Sequence, residues 1–105
     1  MKNPRSPDES GGELEKVFAA ITDYEEMKNF FEELFTPKEL RDLTLRWQLL
    51  KELHEGKTQR DIASRYRISL CKITRGSKVL KKRNSSVRRV LDLLYGKGRV
   101  PRRGR

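Results

Sequence analysis

One cysteine, Cys71, stands in 105 residues, so no intrachain disulfide can form. That usage fits a reducing cytoplasm. His54 is the only histidine. A structural zinc site asks for four Cys or His ligands, so no metal is expected. The longest unbroken apolar run is Val17 to Ile21, whereas a membrane-spanning helix needs about 20 residues. No membrane partner is expected. The first residues carry Asp8 and Glu9 and no apolar stretch, so no secretory signal is expected. Apolar residues make up only 34% of the chain. A monomer's core would be thin, and oligomerisation is a common remedy at this size.

Charge is plentiful, and it is divided unevenly. Residues 1–56 hold 8 Lys/Arg against 13 Asp/Glu, a net of −5, while residues 57–105 hold 17 against 2, a net of +15. The partner suited to the basic half is a polyanion, with nucleic acid first.

Residues 1–12, with Pro4, Pro7, Ser10, Gly11 and Gly12, read as a flexible arm. A helical stripe then runs through Leu14, Val17, Phe18 and Ile21 and resumes as Tyr24, Met27, Phe30, Phe31 and Leu34. Asp23 with Glu26 predicts a helix start between the two halves. The stripe is core, much of it expected to face a second subunit. Thr36-Pro37-Lys38-Glu39 predicts another start: a cap, a first-turn proline and a glutamate that reaches back. Leu40, Leu43, Trp47, Leu50 and Leu53 give that helix one apolar face, and Gly56 closes it. Shorter helices are expected from Thr58 to Tyr66 and from Ser69 to about Leu80. Asn84-Ser85-Ser86 leads into a last one with Val87, Val90, Leu91 and Leu94, stopped at Gly96. Residues 96–105 read as a disordered basic tail. No strand pattern or repeat is present. The expected fold is all-α.

Residues 58–80 have the pattern of a helix-turn-helix. Ala63 is small where two crossing helices touch; Ile62, Tyr66, Ile68 and Ile73 fill the wedge; Ser69 caps the second helix. Leu70, Cys71, Lys72, Thr74 and Arg75 are then placed to face outward near its start, where a recognition helix meets base edges. Gln59, Arg60, Ser69, Lys78, Lys81 and Lys82 complete the expected DNA-contacting set, the last two as phosphate contacts. Arg67 occupies the turn position that often carries glycine, at a cost of about 1 kcal/mol if it is left-handed.

Ile73-Thr74-Arg75-Gly76-Ser77 followed by Leu80-Lys81 resembles the end of the recognition helix in the tryptophan-repressor family. Leu34-Phe35-Thr36-Pro37 with Glu39 resembles the entry to that family's central helix, and Arg46, Gly56 and Gln59-Arg60 fall in matching places. The resemblance covers residues 13–95, with one residue fewer between Gly56 and Gln59 than in the best-known members. It implies an intertwined all-helical homodimer, six helices per chain, with two helix-turn-helix heads. It also implies L-tryptophan as a corepressor between core and head, its indole ring between Arg46 and Arg75. Arg75 would also pair with the carboxylate, Thr36 would lie beside the head group, and Gly76 would leave room for the ring. Backbone carbonyls near Glu33 and Phe35 would receive the ammonium. Val79 departs from the family, whose best-known members have a serine there. Its lost hydroxyl is worth about 1.5–3 kcal/mol toward a charged ammonium.

Other motifs carry less. Gly56-Lys57-Thr58 lacks the upstream glycine of a P-loop, since position 51 is Lys51. Glu25/Glu26 and Glu32/Glu33 are solvated pairs with no nucleophile nearby. Cys71 is read as an inert thiol, and His54 as a partner of the carbonyls ending its helix. Nothing points to an enzyme. The expectation is a sequence-specific repressor of double-stranded operator DNA, activated by L-tryptophan and associated with the bacterial nucleoid in the cytoplasm, with no other cofactor. The alternatives are a ligand-independent regulator on the same scaffold and a helical protein-interaction adaptor.

Overall fold

A computed structural model describes residues 12–98. Apart from Gly12, the proposed arm at 1–12 lies outside the described residues, as do residues 99–105 of the proposed tail at 96–105. Six helices follow in order: α1 (Glu13–Ala20), α2 (Tyr24–Leu34), α3 (Pro37–His54), α4 (Gln59–Tyr66), α5 (Leu70–Lys81) and α6 (Ser86–Tyr95). There is no strand among the described residues, and the fold is all-α as expected.

The starts of α2 to α6 lie where side-chain acceptors occur, whereas α1 follows Gly12 with no side-chain cap. Asp23 accepts from the Glu26 N–H at 2.9 Å. Thr36 and Glu39 form the full reciprocal box: Glu39 N–H donates to Thr36 Oγ1 at 3.1 Å, and Thr36 N–H donates to Glu39 Oε1 at 2.9 Å. Thr58, Ser69 and Ser85 cap α4, α5 and α6 in one direction only, accepting from the N–H groups of Asp61, Lys72 and Arg88. Gly56 ends α3 with φ 98°, a left-handed value that suits a residue without Cβ.

The described residues divide into two compact units, 12–40 and 41–98. In the first, Phe31 joins Phe18 and Phe35 at ring separations of 5.3 and 5.4 Å, and Phe30 meets Phe18 edge-on at 5.7 Å. Neither α1 nor α2 buries a residue fully. Tyr24 is 73% exposed.

The second unit carries the core. Leu49, Leu50 and Leu53 of α3 pack with Ile62 of α4, Ile73 and Leu80 of α5, and Leu91 of α6. The four from α4 to α6 exclude solvent completely. Each such burial contributes about 1.5–3 kcal/mol. Arg88 is almost wholly buried, and its guanidinium donates to the carbonyls of Leu80, Lys82 and Arg83 at 2.6–3.2 Å. A cation is thereby placed at the negative end of α5, where the helix dipole favours it.

His54 corrects an expectation. Its Nε2 lies 2.7 Å from Asp92 Oδ1 on α6, so its ring turns across to another helix rather than to the carbonyls ending its own. The Gly98 N–H reaches the same oxygen at 3.3 Å. A Cβ at Gly98 would collide with the His54 ring and carbonyl.

Candidate functional site

The α4–turn–α5 segment forms the helix-turn-helix arrangement. Arg67 has φ 55° and ψ 47°, so the turn is left-handed on a non-glycine residue. The Ile68 N–H bonds back to the Ala63 carbonyl at 3.3 Å and closes the turn. Ile62 and Ile73 are fully enclosed in the wedge, with Tyr66 and Ile68 half-buried beside them.

Along α5 the enclosed stripe is Ile73, Ser77 and Leu80. Leu70, Cys71, Lys72, Arg75, Lys78 and Val79 are exposed. Thr74 differs from its expected outward placement in part. It is half-buried, and its hydroxyl donates to Gln59 Oε1 at 2.9 Å, bracing α5 against the start of α4. Arg60 and Lys82 are exposed, while Lys81 is half-buried.

Electrostatics sets this segment apart. No Asp or Glu occurs between Asp61 and Asp92. The first turns of α1, α2, α3 and α4 each hold an acidic residue, as the helix dipole favours, whereas those of α5 and α6 hold none; α5, with Lys72 in its first turn, is the one described helix with no carboxylate anywhere along it. Among the described residues no carboxylate pairs with Lys72, Arg75 or Lys78. A cation at a helix N-terminus is unfavourable in isolation. It becomes favourable when an anion is bound across the exposed N–H groups. The surface is thus built for a phosphate-bearing partner, with Leu70 and Cys71 offering apolar contact beside it.

Of the residues expected at a ligand, Thr36, like Glu33 and Phe35, belongs to the first unit, and Arg46, Arg75, Gly76 and Val79 to the second. The Thr36 hydroxyl is engaged in the α3 cap. A Cβ at Gly76 would lie 3.4 Å from Leu50 Cδ2 and Leu53 Cδ1, so α5 passes close to α3 there. Arg46 lies one turn before Leu50 on α3, and Arg75 adjoins Gly76 on α5. Both arginines are exposed, and Val79 is 37% exposed. The two guanidinium groups therefore belong to helices that meet at the glycine.

Glu52 was not singled out by the pattern. It is 4% exposed in the last turns of α3, and the Tyr66 hydroxyl donates to its Oε2. Arg65 Nη2 lies 2.6 Å from Oε1 in an ion pair off the ideal hydrogen-bond axis, and Lys57 Nζ lies 3.7 Å from it. Burial pushes the carboxyl pKa up, but the Tyr66 hydrogen bond and the adjacent cations of Arg65 and Lys57 outweigh it and leave the group below its ordinary value. The same hydrogen bond, helped by burial, raises the Tyr66 hydroxyl. The one available signal was a carboxylate set among Leu49, Leu50 and Leu53.

No group of three or more His, Cys, Asp or Glu could hold a metal among the described residues. Among them no helix is long and apolar enough to cross a membrane.

Residues 12–94 match the family model described as Trp repressor protein. The chain is similar to the Trp operon repressor homolog of Chlamydia trachomatis serovar D, with 35% identity over 86 residues, 77% of this chain and 85% of that one. Its counterparts from serovars A and L2 match to the same extent. No solved structure matches the chain.

Proposed function

Because the chain belongs to the Trp repressor family, we propose that it is a DNA-binding transcriptional repressor that grips operator DNA with α5 and takes L-tryptophan as corepressor. The observation that carries the DNA reading is the character of α5: a helix without a carboxylate, with Lys72 at an N-terminus where stability alone would favour an acid. The exposed residues of its first turns, Leu70 to Lys72 and Arg75, meet base edges in the major groove. Gln59, Arg60, Ser69, Thr74 and Lys78 flank them, and Lys81 and Lys82 contact phosphates.

The working form is a homodimer. Two heads must meet successive major grooves about 34 Å apart, and the exposed apolar residues of α1, α2 and α6 supply the contact surface. Tryptophan stacks between Arg46 and Arg75, whose planar guanidinium groups suit an indole face. Its carboxylate pairs with Arg75. The target places the protein on the bacterial nucleoid in the cytoplasm. Residues 13–95 form the family domain, flanked by the arm and the basic tail.

Val79 favours a second reading. An exposed valine offers no hydrogen bond to an ammonium, which suits a regulator that answers weakly or not at all to tryptophan. Duplexes selected from a random pool by the purified protein, then titrated by fluorescence anisotropy with and without millimolar L-tryptophan, separate the readings. Tighter binding with tryptophan supports corepression, equal binding supports the ligand-independent regulator, and no selected sequence overturns DNA recognition.

A further inference from the structure

Glu52 sits where helix stability asks for no anion. It lies near the negative end of α3, among core leucines, with almost no exposure. Glu52 is buried but its cationic partners Arg65 and Lys57 are nearly half exposed, so the charge pairs add little net stability against the cost of burying the carboxylate. What the partners of Glu52 define is a geometry. Tyr66 and Arg65 both lie at the end of α4, and Lys57 lies in the connection leading to it. The Lys57 N–H also bonds the Glu52 carbonyl at 3.1 Å. The Arg65 guanidinium lies 5.5 Å from the Tyr66 ring centre, so the two donors pack on each other.

α4 needs such an attachment. It has eight residues, and only Ile62 is fully buried. Isolated helices of that length are unstable in water. Whatever fixes α4 also fixes α5, through the Gln59–Thr74 hydrogen bond and the closed turn at Arg67.

We propose that Glu52 is a positioning residue for DNA binding: by gripping Tyr66 and Arg65 it holds α4, and α5 with it, on α3 in the DNA-competent arrangement without any small molecule. The inference rests on the reading of α5 as the DNA-contacting helix.

The test uses the full chain and Tyr66→Phe, which keeps the ring and removes only the donor, with Glu52→Gln as the second variant. Amide hydrogen exchange without ligand or DNA should show α4 of the wild type as protected as the last turn of α3. Tyr66→Phe should speed exchange in α4 about tenfold, the loss expected for a hydrogen bond to a charged group, and leave α3 unchanged. Affinity for a duplex selected by the wild type should fall by a similar factor without ligand, and millimolar L-tryptophan should restore part of it. Glu52→Gln should act in the same direction. Wild-type α4 exchanging at unstructured rates would overturn the proposal. So would variants that leave α4 exchange within twofold, or that speed all helices alike. If the wild type selects no duplex, the DNA reading fails, and α4 exchange still decides whether Glu52 holds the head.

Discussion

At the scale of single residues, the chain departs from local rules at two places near the head. Arg67 takes a left-handed conformation that favours glycine, and Glu52 carries a charge into the core. For Glu52 the consequence is a pH dependence with a definite sign. Its carboxyl ionises more readily in the folded state than in the unfolded chain, whose value is near 4.5. The unfolded state therefore binds the extra proton as pH falls, and folding is favoured most above that unfolded value. The stabilisation is full above it and is lost as pH drops through the lower folded value. Glu52→Gln should remove this component, so urea midpoints measured from pH 7 down to pH 3 should decline less steeply than in the wild type. Equal acid slopes in the two proteins would show that Glu52 stays paired to the same degree in the unfolded chain.

At the scale of elements, the sequence made the helices legible because their ends are written in short-range chemistry. Asp23, Thr36, Thr58, Ser69 and Ser85 each cap a helix from its own first turn, and such signals need no knowledge of the rest of the fold. Contacts between elements were less legible. His54 joins Asp92, 38 residues away, and Thr74 joins Gln59, 15 residues away, and no periodicity announces either. The DNA face follows the same division: exposure of Lys72 and Arg75 follows from helical period, while the bracing role of Thr74 does not. That separates two substitutions. Lys72→Ala removes a cation from the positive end of α5, so thermal stability should hold or rise by about 0.3–1 kcal/mol, while specific DNA binding should weaken by about 1–3 kcal/mol. Thr74→Ala should lower both, since it releases Gln59 as well. Calorimetric melting beside anisotropy titrations distinguishes these outcomes, and a Lys72→Ala protein that binds the selected duplex normally would remove α5 from the major groove.

At the scale of the whole molecule, the apolar surface left outside the core must find a place. Leu93 is 84% exposed, Leu94 and Tyr95 are more than half exposed, and α1 and α2 enclose nothing fully. At about 1.5–3 kcal/mol per large side chain buried, these faces are where a second copy would pack in the proposed dimer. Analytical ultracentrifugation at micromolar concentration should give a dimer; a monomer would also remove the two-groove geometry. The last expectation joins that dimer to its ligand. In the proposed site Arg75 would have two tasks, stacking on the indole and neutralising the carboxylate, whereas Arg46 would only stack. Arg75→Ala should therefore abolish the tightening of DNA binding by L-tryptophan more completely than Arg46→Ala. Because Arg75 is also on the exposed face of α5, its loss lowers affinity without ligand, and the ratio of dissociation constants with and without tryptophan is the quantity to compare. Val79→Ser tests the same site in the opposite direction. It adds a hydroxyl at an exposed α5 position, one turn after Arg75, and a hydrogen bond from it to a charged ammonium would strengthen tryptophan binding by up to about 1.5–3 kcal/mol. Isothermal titration of wild type and variant with L-tryptophan measures this directly. If the wild type gives no heat and Val79→Ser creates none, tryptophan is not the ligand; binding of an indole that lacks the ammonium would then keep the arginine pair as the site and account for the valine.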